Sequence, residues 1–413
     1  MFHLVKKNSM ESPTRTVDED KELLLPLLYF FGRIILFLGL IPNDLYGAGD
    51  LPTYFRWAGL KGWPFFNYWV EYPPVFPFLN AGIFKLSSGQ EFLYDFILLM
   101  LVSLMGAGCI YIFLKIAVRL FGERGGWLRT MLYFGILMPL PYTWWYYEPL
   151  PIFLILLGVD WMQKKDDVKA GLAIGLGILT KWFPILLFPA VWRCAPPRRA
   201  WKVIGVALGV TLLVVGSLYA LSPQMTGASL LSQPGRSSWE TIWALIDGNY
   251  HTGDSFLLAD RFNPAAINSV HGNPARVSPL LTLGIFGVVG LWYLFKVKSK
   301  NDVSFIAING ITWALFFLWS PGWSPQWILY MIPLILLSLQ IERALIWISL
   351  LTFVTLLEWP LVLTHHFYLG MWVIVPARMA IFVALIAQWY RLTRTEIDAE
   401  PVYQSGLGVD AGD

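Results

Sequence analysis

Long apolar runs recur along almost the whole chain, separated by short polar segments. A helix that crosses the hydrocarbon core of a bilayer needs about 20 apolar residues, with some variation. Runs of this kind predict spans at 23–42, 92–118, 128–147, 149–163, 202–221, 278–296, 303–320, 326–341, 344–362 and 371–390. The pattern therefore predicts an all-α polytopic membrane protein.

Two further apolar stretches do not fit a simple crossing. The run from Val75 to Leu86 is too short to span, which predicts a helix in the outer interface with Lys85 reaching water. The stretch 168–192 has basic residues at both ends and Lys181-Trp-Phe-Pro184 at its middle. Two half-helices that meet at this tip and return to the same side fit the charge pattern better than one tilted span.

The composition supports a membrane protein and excludes a soluble one. Hydrophobic residues make up 56% of the 413 and charged residues only 14%, whereas a soluble domain carries about 25% charged residues. The 2 cysteines fall within or beside predicted spans, so no disulfide scaffold or metal-binding spacing is indicated. The net charge of +3 says little about partners.

The placement of the 30 Lys and Arg residues predicts the orientation. Most of them lie at alternate ends of the spans, and the positive-inside rule then places both termini in the cytoplasm. We expect a cytoplasmic tail at 1–22, one transmembrane domain at 23–390 and a second tail at 391–413. The outer loops 43–91 and 222–277 are long and rich in aromatic residues, which indicates folded loops at a working face.

The first outer loop brings carboxylates to the mouth of an apolar bundle. They are Asp44, Asp50 and Glu71. Asp50 and Tyr54 are four residues apart and would share one face of a short helix; alternatively, Asp50 only caps that helix. Tyr72, before two prolines, could serve only to stiffen the approach to the next helix.

The order of these elements resembles the first loop of GT-C-fold glycosyltransferases, most closely the glycosyltransferase 87 type. Those enzymes are polyprenyl-phosphate-mannose-dependent mannosyltransferases. The resemblance extends over most of the chain, from about Leu23 to Tyr390. The first outer loop lacks the Asp-x-Asp pair that several other GT-C enzymes carry. The motifs that carry it are Asp50 with Tyr54, Gly62-Trp-Pro64-Phe, Glu71-Tyr72-Pro73-Pro74, Gly171-Leu-Ala-Ile-Gly175, Thr180-Lys181-Trp-Phe-Pro184, and Trp319-Ser-Pro-Gly-Trp323-Ser-Pro-Gln326-Trp327 followed by Pro333.

The resemblance implies a GT-C-like bundle of about 10 to 12 transmembrane or re-entrant helices, with interfacial helices in two long outer loops. It implies inverting transfer of a sugar, mannose by resemblance, from a polyprenyl phosphate to a hydroxyl of a lipid or glycan acceptor. Position assigns Asp50 as general base, with Asp44 in reserve. Glu71 would orient the base or the acceptor, unless it is a solvated loop charge.

Substrate-binding residues are expected among the aromatic and basic side chains around this loop. Lys181 and Arg378, at membrane depth, are candidates for the donor phosphate; the alternatives are snorkelling or a carbonyl contact for Lys181 and an ion pair with Glu358 for Arg378. Arg33, also at membrane depth, has no motif behind it and is expected to be structural. The other candidates are Tyr54, Tyr72 and Gln326 and, in the second outer loop, Arg261 and His251. Arg261 could instead close a salt bridge with Asp260.

No zinc spacing, Walker loop or dinucleotide fingerprint occurs in the sequence, so neither a metal nor a nucleotide cofactor is expected. The expected partners are the lipid-linked donor, the acceptor and the bilayer, with no nucleic acid. A prokaryotic plasma membrane with the active site facing outside is the simplest location. The alternative function is a transporter or flippase of a lipid-linked glycan, which would need polar groups near the midplane reachable from both sides.

Overall fold

The computed structural model describes residues 16–39, 49–233, 236–250, 257–269 and 272–394. Within these ranges all regular structure is helical, apart from two isolated bridges. The α-helices in chain order are α1 Thr16–Gly39, α2 Leu51–Ala58, α3 Val75–Leu86, α4 Glu91–Leu137, α5 Pro149–Gln163, α6 Asp167–Thr180, α7 Phe188–Cys194, α8 Pro197–Leu221, α9 Pro223–Leu231, α10 Ile242–Asp247, α11 Pro279–Lys296, α12 Asp302–Trp319, α13 Ile328–Leu336, α14 Ile341–Leu356 and α15 Met371–Arg394.

Seven helices in the described ranges are long and apolar enough to cross a membrane. They are Asp20–Gly39, Glu91–Leu137, Pro197–Leu221, Pro279–Lys296, Asp302–Trp319, Ile341–Val362 and Tyr368–Arg394. Among the described residues, the first helix is Thr16–Gly39 and the last is Met371–Arg394. The chain is therefore an all-α polytopic membrane protein, as the sequence predicts.

Helix α4 consists of two antiparallel segments joined at Gly122. This glycine has a φ of 71° and a ψ of 174°, a conformation that glycine adopts at little cost. Beyond it the chain packs back on itself, so that the rings of Phe113 and Tyr133 stack with centroids 4.5 Å apart. The two segments correspond to the spans predicted at 92–118 and 128–147.

The second of these segments is shorter than predicted. The helix ends at Leu137 rather than near 147, and a short 3₁₀ helix, Pro141–Thr143, follows. Pro139 and Pro141 account for the early end, because proline lacks the backbone donor of a helical hydrogen bond and because Leu140, the residue before Pro141, is extended. The turn that results leads directly to Glu148, at the start of α5.

Arg33 has the structural role expected for it. Its guanidinium donates to the hydroxyl of Thr143 at 2.7 Å and to the carbonyl of the same residue at 2.5 Å. It also lies 3.4 Å from the ring centroid of Trp144. Arg33 therefore ties α1 to the turn that precedes Glu148.

The short run after the first outer loop forms a helix with the predicted bounds. This helix, α3, runs from Val75 to Leu86. Its Lys85 is exposed, and the ammonium lies 3.2 Å from the ring centroid of Trp63. Asn80, on the buried face, donates to the carbonyl of Tyr54 at 2.8 Å, which joins α3 to α2.

The chain reverses at Lys181, as predicted. Helix α6 ends just before this residue, which has the extended angles φ −157° and ψ 141°. Gly171 of α6 lies against Val203 of α8, and Gly175, one turn further along α6, lies against Ala207, one turn further along α8. The two helices therefore run parallel. Parallel neighbours require the intervening chain to return, so α7 runs back toward the end from which α6 came.

Substituting Gly175 by valine should lower the thermal unfolding midpoint in detergent. A side-chain carbon at Gly175 would lie 2.8 Å from the carbonyl oxygen of Ala207, which is backbone and cannot rotate away. Overpacking of this kind costs about 1–3 kcal/mol. Gly209→Val is the matched control, because an added carbon at Gly209 in α8 meets nothing within 4 Å among the described residues. Equal midpoints for the two variants would contradict the close contact of α6 and α8.

The two ends of the bundle differ in their polar groups. At one, the basic end, Arg119 pairs with Asp160 and Arg199 with Asp167, both at 2.7 Å. From Asp167, α6 rises about 21 Å to Lys181 at the opposite end, the site end. The buried or half-buried ionisable residues at the site end include Asp50, Glu71, Glu148, Lys181, Arg236, Glu240, Arg261, Glu358 and Arg378.

Candidate active site

Asp50 and Tyr54 lie side by side at the start of α2, as predicted. The Tyr54 hydroxyl donates to Oδ2 of Asp50 at 3.0 Å. Asp50 is the residue before α2, yet within the described chain its carboxylate makes no capping bond to the helix backbone. The half-buried carboxylate therefore points toward Tyr54 and the site rather than closing the helix.

An aromatic cluster surrounds this pair. The ring of Tyr54 meets the rings of Tyr72 and Tyr147 at centroid distances of 6.4 and 5.8 Å. Phe76, on α3, stacks on Tyr147 at 3.8 Å. The segment of Tyr72 and the two following prolines thus does more than lead into α3, because its tyrosine forms one wall beside Asp50.

Lys181 forms an ion pair with Glu148, which the sequence analysis did not identify. The ammonium donates to Oε1 of Glu148, and both side chains are buried. Among the described residues, Oε2 of Glu148 has no hydrogen-bond partner. The Lys181 ammonium also faces aromatic rings, lying 5.2 Å from the centroid of Tyr147 and 5.7 Å from that of Trp327. The snorkelling alternative is therefore wrong for Lys181.

The electrostatic surroundings of Asp50 make its carboxylate more basic than usual. Burial, reinforced by the charge of Glu148, raises the pKa of Asp50 to about 6. The hydrogen bond from Tyr54 and the charges of Lys181 and Arg236 oppose that rise. Asp50 is consequently ionised at neutral pH but takes up a proton more readily than an exposed aspartate.

Glu71 bridges two arginines of the second long loop. Its Oε2 accepts from Arg236 and its Oε1 from Arg261, both at 3.2 Å. It is 4% exposed, so the alternative of a solvated loop charge is wrong. The ion pair of Arg261 is formed with Glu71 and not with Asp260. Glu71 thereby joins the two long loops and holds Arg236 beside Asp50.

Arg378 forms the ion pair with Glu358 that the sequence offers as the alternative to a phosphate contact. One terminal nitrogen donates to Oε2 of Glu358 and the other to the carbonyl of Glu240. Trp323 also donates to Oε2 of Glu358, at 3.1 Å, and the guanidinium lies 4.5 Å from its ring centroid. Arg378 thus connects α15 to both the second long loop and the segment before α13.

The remaining candidates are placed unevenly. Gln326 is buried in the 3₁₀ helix Pro325–Trp327, next to Trp327. Asp44 and His251 lie outside the described residues. In the part of the chain that is described, no group of three His, Cys, Asp or Glu side chains has the arrangement of a metal site. The metal independence of the protein remains a prediction.

No family model, curated protein or solved structure matches this chain. The chemistry of the site follows from its own residues. These residues bring one half-buried carboxylate together with the Glu148–Lys181 pair and Arg236, within an aromatic enclosure.

Proposed function

We propose that the protein is a membrane glycosyltransferase that uses a polyprenyl-phosphate sugar and has Asp50 as its general base. The observation that carries this proposal is the half-buried Asp50 carboxylate, held by Tyr54 and flanked by Lys181 and Arg236 at one end of an apolar bundle. A base and a fixed cation close together are what transfer from a phosphate donor to a hydroxyl requires.

In the reaction, the Asp50 carboxylate takes the proton of the acceptor hydroxyl while that oxygen forms a bond to the anomeric carbon. The bond from the anomeric carbon to the phosphate oxygen breaks, and its electron pair leaves with the polyprenyl phosphate. Attack opposite the leaving group inverts the anomeric configuration. The leaving phosphate needs no protonation, but its developing negative charge needs fixed donors.

Lys181 is the better candidate of the two membrane-depth cations for contacting that phosphate. An ammonium has three N–H donors, and among the described residues its hydrogen-bond partner is Glu148 alone. Lys181 also lies near enough to Asp50 for its charge to act on that carboxylate, whereas Arg378 joins two segments of the chain through Glu358 and the backbone carbonyl of Glu240. Arg378 therefore acts on the site by holding segments in place. Tyr72 and Gln326 are proposed to line the sugar pocket, and mannose is proposed from the motif resemblance.

The proposed setting is a prokaryotic plasma membrane, with the site end facing outward and both termini in the cytoplasm. The distribution of polar groups also favours an enzyme over a flippase. In the described residues, the carboxylates around Asp50 gather at one end of the bundle, whereas a flippase needs a polar path reachable from both sides.

The deciding experiment uses the purified protein in detergent with polyprenyl-phosphate-mannose and a crude lipid acceptor extract. Mass spectrometry should detect a mannosylated product together with an equal amount of released polyprenyl phosphate. No product, combined with movement of a lipid-linked sugar across liposomes that contain the protein, would replace the transferase with the flippase.

The rate of transfer should fall as the pH falls through about 6. Asp50 must be ionised to accept a proton, and burial raises its pKa to about 6. Transfer should therefore be near maximal at pH 7.5 and drop about tenfold for each pH unit well below 6. Measuring kcat/KM from pH 4.5 to 8 checks this fall in rate, the acid limb of the pH profile. A rate independent of pH over that range would exclude Asp50 as the base.

A further inference from the structure

Glu240 lies in a segment whose backbone is fixed on both sides. The amide of Trp239 donates to the carbonyl of Pro321, and the amide of Trp323 donates to the carbonyl of Trp239, both at 3.1 Å. The hydroxyl of Thr241 donates to the same Pro321 carbonyl at 3.0 Å. Between these anchors Glu240 has a φ of 55°, in the left-handed region that is costly for a residue with a side chain.

The Glu240 carboxyl is buried without a hydrogen-bond partner for one of its oxygens. The residue is 7% exposed, and its Oε2 finds no donor or acceptor among the described residues. A buried polar atom left without a partner costs free energy, and its retention calls for an explanation. Together with the backbone angle, this points to a side chain that is placed for something it binds.

The cations nearest to Glu240 are committed to other groups. Arg378 donates to the Glu358 carboxylate and to the Glu240 backbone carbonyl, not to the Glu240 carboxyl. Arg236 pairs with Glu71. Among the described residues, the ionisable groups that act on Glu240 or on which it acts include Asp50, Arg236, Glu358, Arg378, Tyr142 and Tyr146.

A neutral carboxylic acid is the form that suits this environment. Burial, together with the charges of Glu358 and Asp50, holds the pKa of Glu240 well above its usual range, although Arg378 and Arg236 oppose the shift. Burying an ionised carboxylate without a partner is far more costly than burying the neutral acid. An ionised Asp50 beside a neutral Glu240 is the arrangement that separates a base from a donor.

We propose that Glu240 binds the donor phosphate as a neutral acid, through an O–H hydrogen bond to a phosphate oxygen. The inference rests on the proposed function and names a substrate contact within it. A phosphate that enters among Asp50, Glu148 and Glu358 meets three carboxyl groups. If the carboxyl group of Glu240 were ionised as well, it would repel the phosphate, whereas the protonated group donates a hydrogen bond to the phosphate. The proton stays on Glu240 throughout the transfer.

The test measures binding of polyprenyl phosphate to the purified protein by tryptophan fluorescence, with polyprenol of equal chain length as the reference ligand. Glu240→Gln keeps a neutral donor, and its affinity should stay within about threefold of wild type. Glu240→Ala should bind about tenfold or more weakly, because a hydrogen bond to a charged group is lost. Glu342→Gln, an exposed carboxylate at the basic end, is the control and should bind as wild type.

The protonation state has its own readout. The infrared carbonyl band of a buried protonated acid should be present in wild type and in Glu342→Gln and absent in Glu240→Gln. The proposal is overturned if Glu240→Gln binds as weakly as Glu240→Ala, if both bind as wild type, or if no such band disappears. If wild type binds polyprenol as tightly as polyprenyl phosphate, the proposed function itself fails. If wild type does prefer polyprenyl phosphate but the variants at residue 240 bind it equally well, only the role of Glu240 fails.

Discussion

Replacing Asp50 by asparagine should lower the rate of sugar transfer roughly a hundredfold or more. Asparagine keeps the size and the acceptor oxygen for the Tyr54 hydroxyl but cannot take up the acceptor proton. Binding of the donor should not weaken, since Asp50 is assigned to the acceptor and its negative charge faces the phosphate. The loss should therefore appear in kcat, measured by product formation at saturating donor, with polyprenyl phosphate binding as the parallel measurement.

Tyr54→Phe is the informative companion to this variant. The Tyr54 hydrogen bond opposes the rise in the pKa of Asp50, so its removal should raise that pKa further. The acid limb of kcat/KM should then move to higher pH, while the rate above the limb remains close to wild type.

An Asp50→Asn variant with unchanged turnover would move the base to Asp44 or Glu71 and leave the enzyme assignment standing.

Replacing Arg378 by methionine should destabilise the protein by about 3–5 kcal/mol, the usual cost of leaving one partner of a buried ion pair alone. The change leaves the Glu358 carboxylate at 0% exposure without its cation and removes the donor to the Glu240 carbonyl. The effect should appear as a lower thermal unfolding midpoint in detergent and a lower yield of folded protein.

The double variant Arg378→Met with Glu358→Gln separates the ion pair from simple packing. Glutamine removes the unpaired charge while keeping an acceptor for the Trp323 indole. Much of the lost stability should therefore return in the double variant. If the double variant is as unstable as the two single losses added together, the two side chains are not coupled and the ion pair is not what holds these segments.

The elements that depend on local pattern could be predicted from the sequence. The bounds of α3, the reversal at Lys181 and the shared face of Asp50 and Tyr54 follow from run length, charge placement and helical periodicity. The predicted end of the second segment of α4 is wrong by about ten residues. The apolar pattern continues through Pro139 and Pro141, although proline disfavours the helix there.

The pairing of the site residues could not be predicted in the same way. The apolar pattern does not single out Glu148, because it occupies the single position between two predicted spans. Its contact with Lys181 joins residues 33 apart in sequence. The bond from Arg261 to Glu71 joins residues 190 apart. Such pairs arise from tertiary packing between distant residues. They leave no periodic pattern in a single sequence from which they could be predicted.

The contact between Trp239 and Gly322 has a consequence for engineering the loops. A side chain at Gly322 would overlap the Trp239 indole, and the two backbones bond to each other on either side of it. The segments at 238–241 and 320–324, although distant in the chain, therefore form one interlocked unit. Grafting either segment alone into a related scaffold would leave its counterpart mismatched, so a chimera intended to alter specificity must exchange both together.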